Sequence, residues 1–259
     1  RAWVYSINEL RVLGLQYFPS AMRLFSNGVA MKHLRAQVPD KNLRKQLIPS
    51  YVIGCKRILI SDDYYPALQK PNVVLETAGI DHINERGIVD SDGKQIELDL
   101  IVYATGFHAF SNRQCVPFDV VGREGRTLMD YWNDTAQAYA GTTVPYFPNL
   151  FFTNGPNTSI GHTSAIYMAE SQMGYIINAV KQLITKSNVA RIEIKEEAYN
   201  EYNKAIHAAS KKSVWETGNC SSWYQNQSGI NTGVYPGFSF NFRRAANHYD
   251  PDKHLVSST

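Results

Sequence analysis

At 259 residues, with 44% hydrophobic and 19% charged residues, the chain has the composition of a packed globular protein, long enough for one large domain or two small ones. A formal net charge of +3, carried by dispersed lysines and arginines, points away from nucleic acid and from a membrane surface, and no apolar run approaches the ~18 residues that span a bilayer. Three cysteines, Cys55, Cys115 and Cys220, give neither a paired framework nor metal-ligand spacing, so no metal is expected and a reducing cytoplasm is the simpler setting.

Residues 1 to 50 are expected to form a helical subdomain. Met22, Phe25, Val29 and Leu34 recur at helical spacing, Pro39-Asp40 breaks and re-caps the chain, and Leu43 and Leu47 continue the pattern to Pro49. The composition changes at Tyr51. A short apolar run, Ile58 to Ile60, suits a buried strand with Lys56 and Arg57 at its mouth, pointing to opposite sides of an extended backbone. A Lys-Arg pair beside a strand is also an ordinary solvated end. Cys55 beside it reads as a small packing residue.

Asn72 to Thr77 is a second strand candidate. Ile88-Val89, Ser91-Asp92-Gly93 and Ile96-Glu97-Leu98 predict a hairpin with Asp-Gly as its turn. The hairpin runs into Asp99-Leu100-Ile101-Val102-Tyr103-Ala104-Thr105-Gly106-Phe107, an apolar run of the kind that becomes a buried strand, ending in small residues and a glycine. A glycine there lets the backbone come close to a flat or charged group, and a core strand with an ordinary turn has the same pattern.

Residues 110 to 148 read as loops and a small packed layer. Leu150 to Thr153 is a further strand candidate, delivering the chain to Gly155-Pro156-Asn157-Thr158-Ser159-Ile160-Gly161-His162. The spacing of Ile166, Met173, Ile176, Ile177, Val180, Leu183 and Ile184 then predicts a long helix, with Thr163 or Ser164 available as its cap. Such a loop at a helix amino end presents unpaired N–H groups to whatever sits above it. Arg191 to Ile194 predicts a strand and Glu196 to Ser210 an amphipathic helix. A Gly/Asn/Ser-rich segment follows, containing Ser222-Trp223-Tyr224, Gly229-Ile230-Asn231 and Tyr235-Pro236-Gly237.

Taken in order, Gly54-Cys55-Lys56-Arg57 with Asp62-Asp63-Tyr64-Tyr65, Ala104-Thr105-Gly106, Gly155 to His162, and Ser222-Trp223-Tyr224 resemble the C-terminal half of the Baeyer–Villiger and flavin-containing monooxygenases. The resemblance covers nearly the whole chain. It implies an α/β fold, the C-terminal portion of a Rossmann-like, two-dinucleotide-binding flavoprotein with a helical subdomain. The implied division is 1–50 helical subdomain, 51–98 the end of an NADP-binding domain, and 99–259 the end of an FAD-binding domain with a mobile loop at 213–237.

The resemblance also implies an activity. NADPH reduces FAD, and a flavin peroxide formed with O2 attacks a small-molecule ketone or a soft heteroatom. Arg57 is implied as the catalytic residue, steadying the peroxide and the oxyanion of its adduct, and Lys56 as a phosphate contact for NADPH. Ala104, Thr105, Gly106 and Phe107 form the implied hinge against FAD, Asn157 and Thr158 lie in the loop near the flavin ring, and Trp223 folds over the nicotinamide nucleotide. No Gly-x-Gly-x-x-Gly occurs here, and the chain begins at Arg1 without a signal-peptide pattern. The Gly-rich turns are therefore expected upstream, in a missing N-terminal half, and the isolated polypeptide is expected to be inactive. Amine or sulfide oxidation, a disulfide-reductase-like flavoprotein and a non-catalytic fragment are the alternatives.

Overall fold

Helices occupy most of residues 2 to 47 in a computed structural model that describes residues 2–106, 118–186 and 188–258, apart from the side chains of 22, 23 and 25 to 27. The chain divides into two units, Arg1–Asn27 with Ser50–Ile58 and His108–Thr259, and Gly28–Pro49 with Leu59–Phe107. Helix α1 (Ala2–Val12) continues through one π-helical turn, Leu13–Tyr17, into α2 (Pro19–Gln37). Pro39-Asp40 acts as the sequence predicts. The Asp40 carboxylate accepts the Asn42 N–H at 2.8 Å and so caps α3 (Lys41–Leu47).

In the second unit, which also carries the short helix α4 (Tyr64–Ala67), the Asp92-Gly93 hairpin is present. Strand β2 (Gly87–Asp90) pairs antiparallel with β3 (Gln95–Glu97), Ile88 opposite Ile96. Gly93 turns at φ +83°, and the Asp90 carboxylate accepts the N–H groups of Asp92 and Lys94 at 3.0 and 2.9 Å. A third strand, β1 (Ile80–Asn84), adds to the other edge of β2. It was not expected, because a register shift between Ile80 and His82 breaks the alternation that marks a strand.

Several expected strands are not strands. Residues 58–60, 72–77 and 100–102 are extended or turn-like, and they are largely exposed: Ile60 is 96% and Val102 78% accessible. Leu150 to Thr153 is likewise irregular. Apolar composition makes a strand only where a neighbouring strand supplies hydrogen-bond partners, and none of the described residues does so here. Both helices and sheets are present, but the described strands pair antiparallel throughout, β1-β2-β3 in one sheet and β4-β5 in another.

The core of the first unit gathers Leu128 and Trp132 of α5 (Leu128–Trp132), Met168 and Tyr175 of α6 (Ala165–Thr185), and Phe242 of α9 (Ser239–Ala246). Strand β4 (Arg191–Ile194) adds Ile192 and Ile194 and pairs with β5 (His254–Ser257). Helix α7 (Glu196–Ser210) follows β4 with the predicted bounds, although its most buried face runs through Tyr199, Asn203 and Ile206. Helix α6 also forms where predicted, and Ile176 and Leu183 of the predicted pattern pack against the core. Met168, Ser171, Gln172, Tyr175 and Ala179 are its buried residues, while Ile166, Met173, Ile177 and Ile184 are exposed. Gln172 can face the core because its amide is satisfied there. It donates to the Gly141 carbonyl at 2.8 Å and the Thr142 hydroxyl at 3.0 Å, and accepts the Asn154 N–H at 2.8 Å.

Candidate functional site

A second, smaller core in the first unit joins two of the four sequence motifs. Leu15 of the π-helical turn, Cys55, Val214 and Trp215 of α8 (Val214–Thr217), Tyr224 and Val234 are buried against one another, with Tyr51, Val52 and Cys220 at the margin. Trp215 is fully buried and is the largest side chain of the cluster. The Tyr51-to-Arg57 turn is held to the far segment by the Val52 N–H, which donates to the Gly218 carbonyl at 2.9 Å, and by a disulfide between Cys55 and Cys220. This corrects the reading of the cysteines. Cys55 is half of a bridge whose Cα atoms lie 6.2 Å apart, and the cysteine-based reason for expecting a reducing compartment falls with it.

The Gly155 to Ser159 loop is attached to the same segment. The backbone N–H of Asn157 donates to the Thr232 carbonyl at 2.8 Å, and Ser159 N–H to Gly233 at 3.0 Å, while Tyr235 N–H returns a bond to Ser159 at 2.9 Å. The Asn157 side-chain amide donates to the carbonyls of Asn231 at 2.9 Å and Val234 at 3.3 Å. Asn157 adopts φ +53°, a left-handed turn that asparagine tolerates. Asn157 and Thr158 are both buried, the latter donating to the Gly155 carbonyl at 2.6 Å. Their bonds shape the loop from within, and the Asn157 Oδ1 has no partner among the described residues.

Asn231 is the knot of this region. Its amide donates to the Ser210 hydroxyl at 2.9 Å and the Val234 carbonyl at 2.8 Å, and its oxygen accepts the N–H groups of Val234 at 2.9 Å and Gly233 at 3.2 Å. The segment 224–234 is thus crossed by hydrogen bonds, with Thr232 and Gly233 N–H both on the Tyr224 carbonyl. Trp223, by contrast, is 46% exposed, its ring 4.4 Å from that of buried Tyr224.

Lys56 and Arg57 are exposed. The Lys56 ammonium lies 5.0 Å above the Tyr51 ring, and Arg57 makes no hydrogen bond or ion pair among the described residues. Ala104, Thr105 and Gly106 belong to the second unit, where Gly106 turns at φ +93° with no atom within 4 Å of the place a Cβ would occupy. Phe107 lies outside the described residues.

Sequence reasoning missed a buried pair at the end of the same loop. His162 and Glu9 lie 3.5 Å apart, both inaccessible, and the Glu9 carboxylate also accepts the Ser239 N–H at 3.0 Å and hydroxyl at 2.5 Å. Burial pushes the His162 pKa down, against the pull of Glu9. Two residues on, α6 begins at Ser164 with no side chain capping its first turn, so that amino end has donors to offer. Among the described residues no group of histidines, cysteines and acids could hold a metal ion, and no helix is long and apolar enough to cross a membrane.

Comparison with known proteins places this arrangement. No family model matches. A Baeyer–Villiger monooxygenase of Pseudomonas aeruginosa is 41% identical over 261 aligned residues, covering 100% of this chain and 49% of that protein. One from Streptomyces coelicolor is 38% identical, covering 99% of the chain and 49% of its own length. The chain belongs to the Baeyer–Villiger monooxygenase family. It spans about half the length of the curated relatives it matches. An oxidized steroid monooxygenase bound to NADP superposes at TM-score 0.79 over 95% of the chain and 47% of that structure, with 27% identity. A complex of OTEMO with FAD and NADP superposes at 0.81 over 94% and 46%; at 23% identity that likeness shows the fold.

Proposed function

We propose that the complete protein is an FAD- and NADPH-dependent monooxygenase that inserts one atom of O2 beside the carbonyl of a small-molecule ketone. The observation that carries this reading is that the segment holding Trp223 is joined both to the Lys56-Arg57 turn, through the small core and the Cys55–Cys220 bridge, and to the Gly155 to Ser159 loop, through hydrogen bonds at residues 231 to 235. Its architecture would be the Rossmann-like, two-dinucleotide-binding one, with an N-terminal half supplying the Gly-rich turns. The steroid monooxygenase that carries NADP supports the NADPH assignment, and membership of the family supports FAD.

The chain's own residues fit those groups. In the first unit an uncapped helix end and two exposed cations suit an anionic dinucleotide, and the unpartnered Asn157 Oδ1 suits a donor N–H; in the second unit Gly106 leaves its backbone open to a flat group. When bound, FAD passes electrons from NADPH to oxygen. Lys56 would offer a point charge to the nucleotide phosphate, and Trp223 an aromatic cover for the nicotinamide end. Arg57 would offer a fork of donors to charge developing on oxygen, where one such donor contributes roughly 2.7 to 4 kcal/mol. Asn157 and Thr158 would position the loop beside the flavin, and Ala104, Thr105, Gly106 and Phe107 the backbone against it.

The test is turnover by the complete protein with a cyclic ketone and, in parallel, an alkyl sulfide. A yellow cofactor that co-purifies, together with NADPH- and O2-dependent lactone formation, supports the reading. Sulfoxide alone would move the assignment to heteroatom oxidation. A colourless protein that consumes no NADPH would contradict it.

A further inference from the structure

Resting on the reading above, we propose that Cys55–Cys220 is a thiol–disulfide switch that ties the Trp223 segment to the Arg57 turn, and that hydrogen peroxide leaking from uncoupled turnover closes it. The bridge joins residues 165 apart in sequence. Cys55 immediately precedes Lys56 and Arg57, and Cys220 lies just before Ser222-Trp223-Tyr224. One covalent bond thus tethers the backbone two residues before the proposed oxygen-facing donor, Arg57, to the backbone three residues before the proposed aromatic cover, Trp223.

The chain passes close over Cys55. A Cβ on Gly218 would collide with the Val214 carbonyl oxygen and stand 2.7 Å from the Cys55 Cβ and 2.8 Å from its sulfur, so glycine is needed where the two segments meet. Cys55 is fully buried and Cys220 half-buried, which gives an attacking thiolate a way in from one side. With the bridge open, the two segments are still joined by the Val52–Gly218 hydrogen bond and by the packing of Tyr51, Val52 and Cys55 in the cluster of Val214, Trp215 and Tyr224, which leaves residues 219 to 223 as the stretch most dependent on the bridge.

The chemistry balances with named reactants. In closing, the two thiols lose two electrons and two protons to hydrogen peroxide, giving the disulfide and two waters. In opening, a thiolate of a small or protein dithiol attacks the Cys220 sulfur, Cys55 leaves as a thiolate and takes up a proton, and the reductant's second thiol releases Cys220 as the reductant becomes a disulfide. A loosened Trp223 segment admits water to the site, which sends more reducing equivalents to peroxide. The leak then restores the tether.

The experiment uses the complete protein equilibrated in mixtures of reduced and oxidised dithiothreitol, and separately with hydrogen peroxide. Bridge occupancy is read by thiol alkylation and mass spectrometry, the segment's order by limited proteolysis between residues 218 and 223, and the leak by peroxide formed per NADPH. The expected result is reversible opening without global unfolding, several-fold faster cleavage of that segment and a several-fold larger leak. Cys220→Ser should behave as the open form and ignore dithiothreitol. A bridge that opens only on global unfolding, or opening with unchanged proteolysis, would overturn the switch and leave a structural staple. Proteolysis needs no turnover, so absence of oxygenated product in every sample would sink the activity and leave the tether standing.

Discussion

Replacing Asn231 by alanine removes a fully buried side chain whose amide makes four hydrogen bonds, to the Ser210 hydroxyl, the Val234 carbonyl, and the N–H groups of Val234 and Gly233. Each lost partner inside a buried site costs on the order of 1 kcal/mol, more where a donor is left unsatisfied. The small residue also leaves space that the surrounding turn cannot fill completely. A loss of about 3 to 5 kcal/mol is expected, a large part of the roughly 5 to 15 kcal/mol that holds a protein folded. Equilibrium urea unfolding followed by circular dichroism measures it, with Trp223 and Trp215 fluorescence reporting on the local region. Because Asn157 donates to the Asn231 carbonyl, the variant should also loosen the Gly155 to Ser159 loop, seen as faster amide exchange at Asn157 and Ser159. A loss below about 1 kcal/mol, with exchange unchanged, would refute the view that this side chain ties the two segments together.

Two further outcomes follow from the first unit. Glu193 is buried and accepts from the Arg123 guanidinium at 2.8 and 3.0 Å and from the Tyr146 N–H at 2.7 Å. Glu193→Ala should therefore cost about 2 to 3 kcal/mol in urea unfolding, and Glu193→Gln less, while an unchanged midpoint for both would contradict a structural role. Stability should also fall on acidification. Burial pushes the pKa of His162, His207 and His254 below the usual histidine value, so the unfolded chain binds protons that the native one refuses. The contribution is present above about pH 6.5 and is lost as pH drops through the lowered native values. A Tm constant between pH 7 and 5 would contradict this, and His162→Gln should flatten the slope.

Local signals were the legible part of the sequence. Asp92-Gly93 forces a turn whatever surrounds it, Asp40 caps its own helix, and α7 begins and ends where its pattern does. Signals that depend on a partner were not legible. Ile58 to Ile60 and Leu100 to Val102 are apolar enough for strands, but composition does not say whether a neighbour exists to pair with them. The apolar spacing of α6 locates the helix but not its most buried residues, because Gln172 counts as polar although its bonds to Gly141, Thr142 and Asn154 make it a core residue. Cys55 and Cys220 stand 165 residues apart, and no spacing rule connects them. At the site, Lys56, Arg57 and Trp223 could be picked out by motif, and the structure leaves all three exposed. Asn157 and Thr158 were also picked out, but they are buried and bonded to the chain itself. The Glu9–His162 pair joins α1 to the loop before α6, a contact carried by tertiary packing with no local signature.

The partition of NADPH-derived electrons in the complete protein and in its Arg57→Ala variant is the most direct test that this turn serves an oxygenating site. Lactone, hydrogen peroxide and consumed NADPH are counted together with a cyclic ketone as substrate. Arg57→Ala should lose lactone formation by roughly 10² to 10³-fold while NADPH continues to be oxidised and its electrons appear as peroxide. Equal lactone yields from both proteins would contradict the assignment of Arg57, and with it the placement of the reaction at this turn.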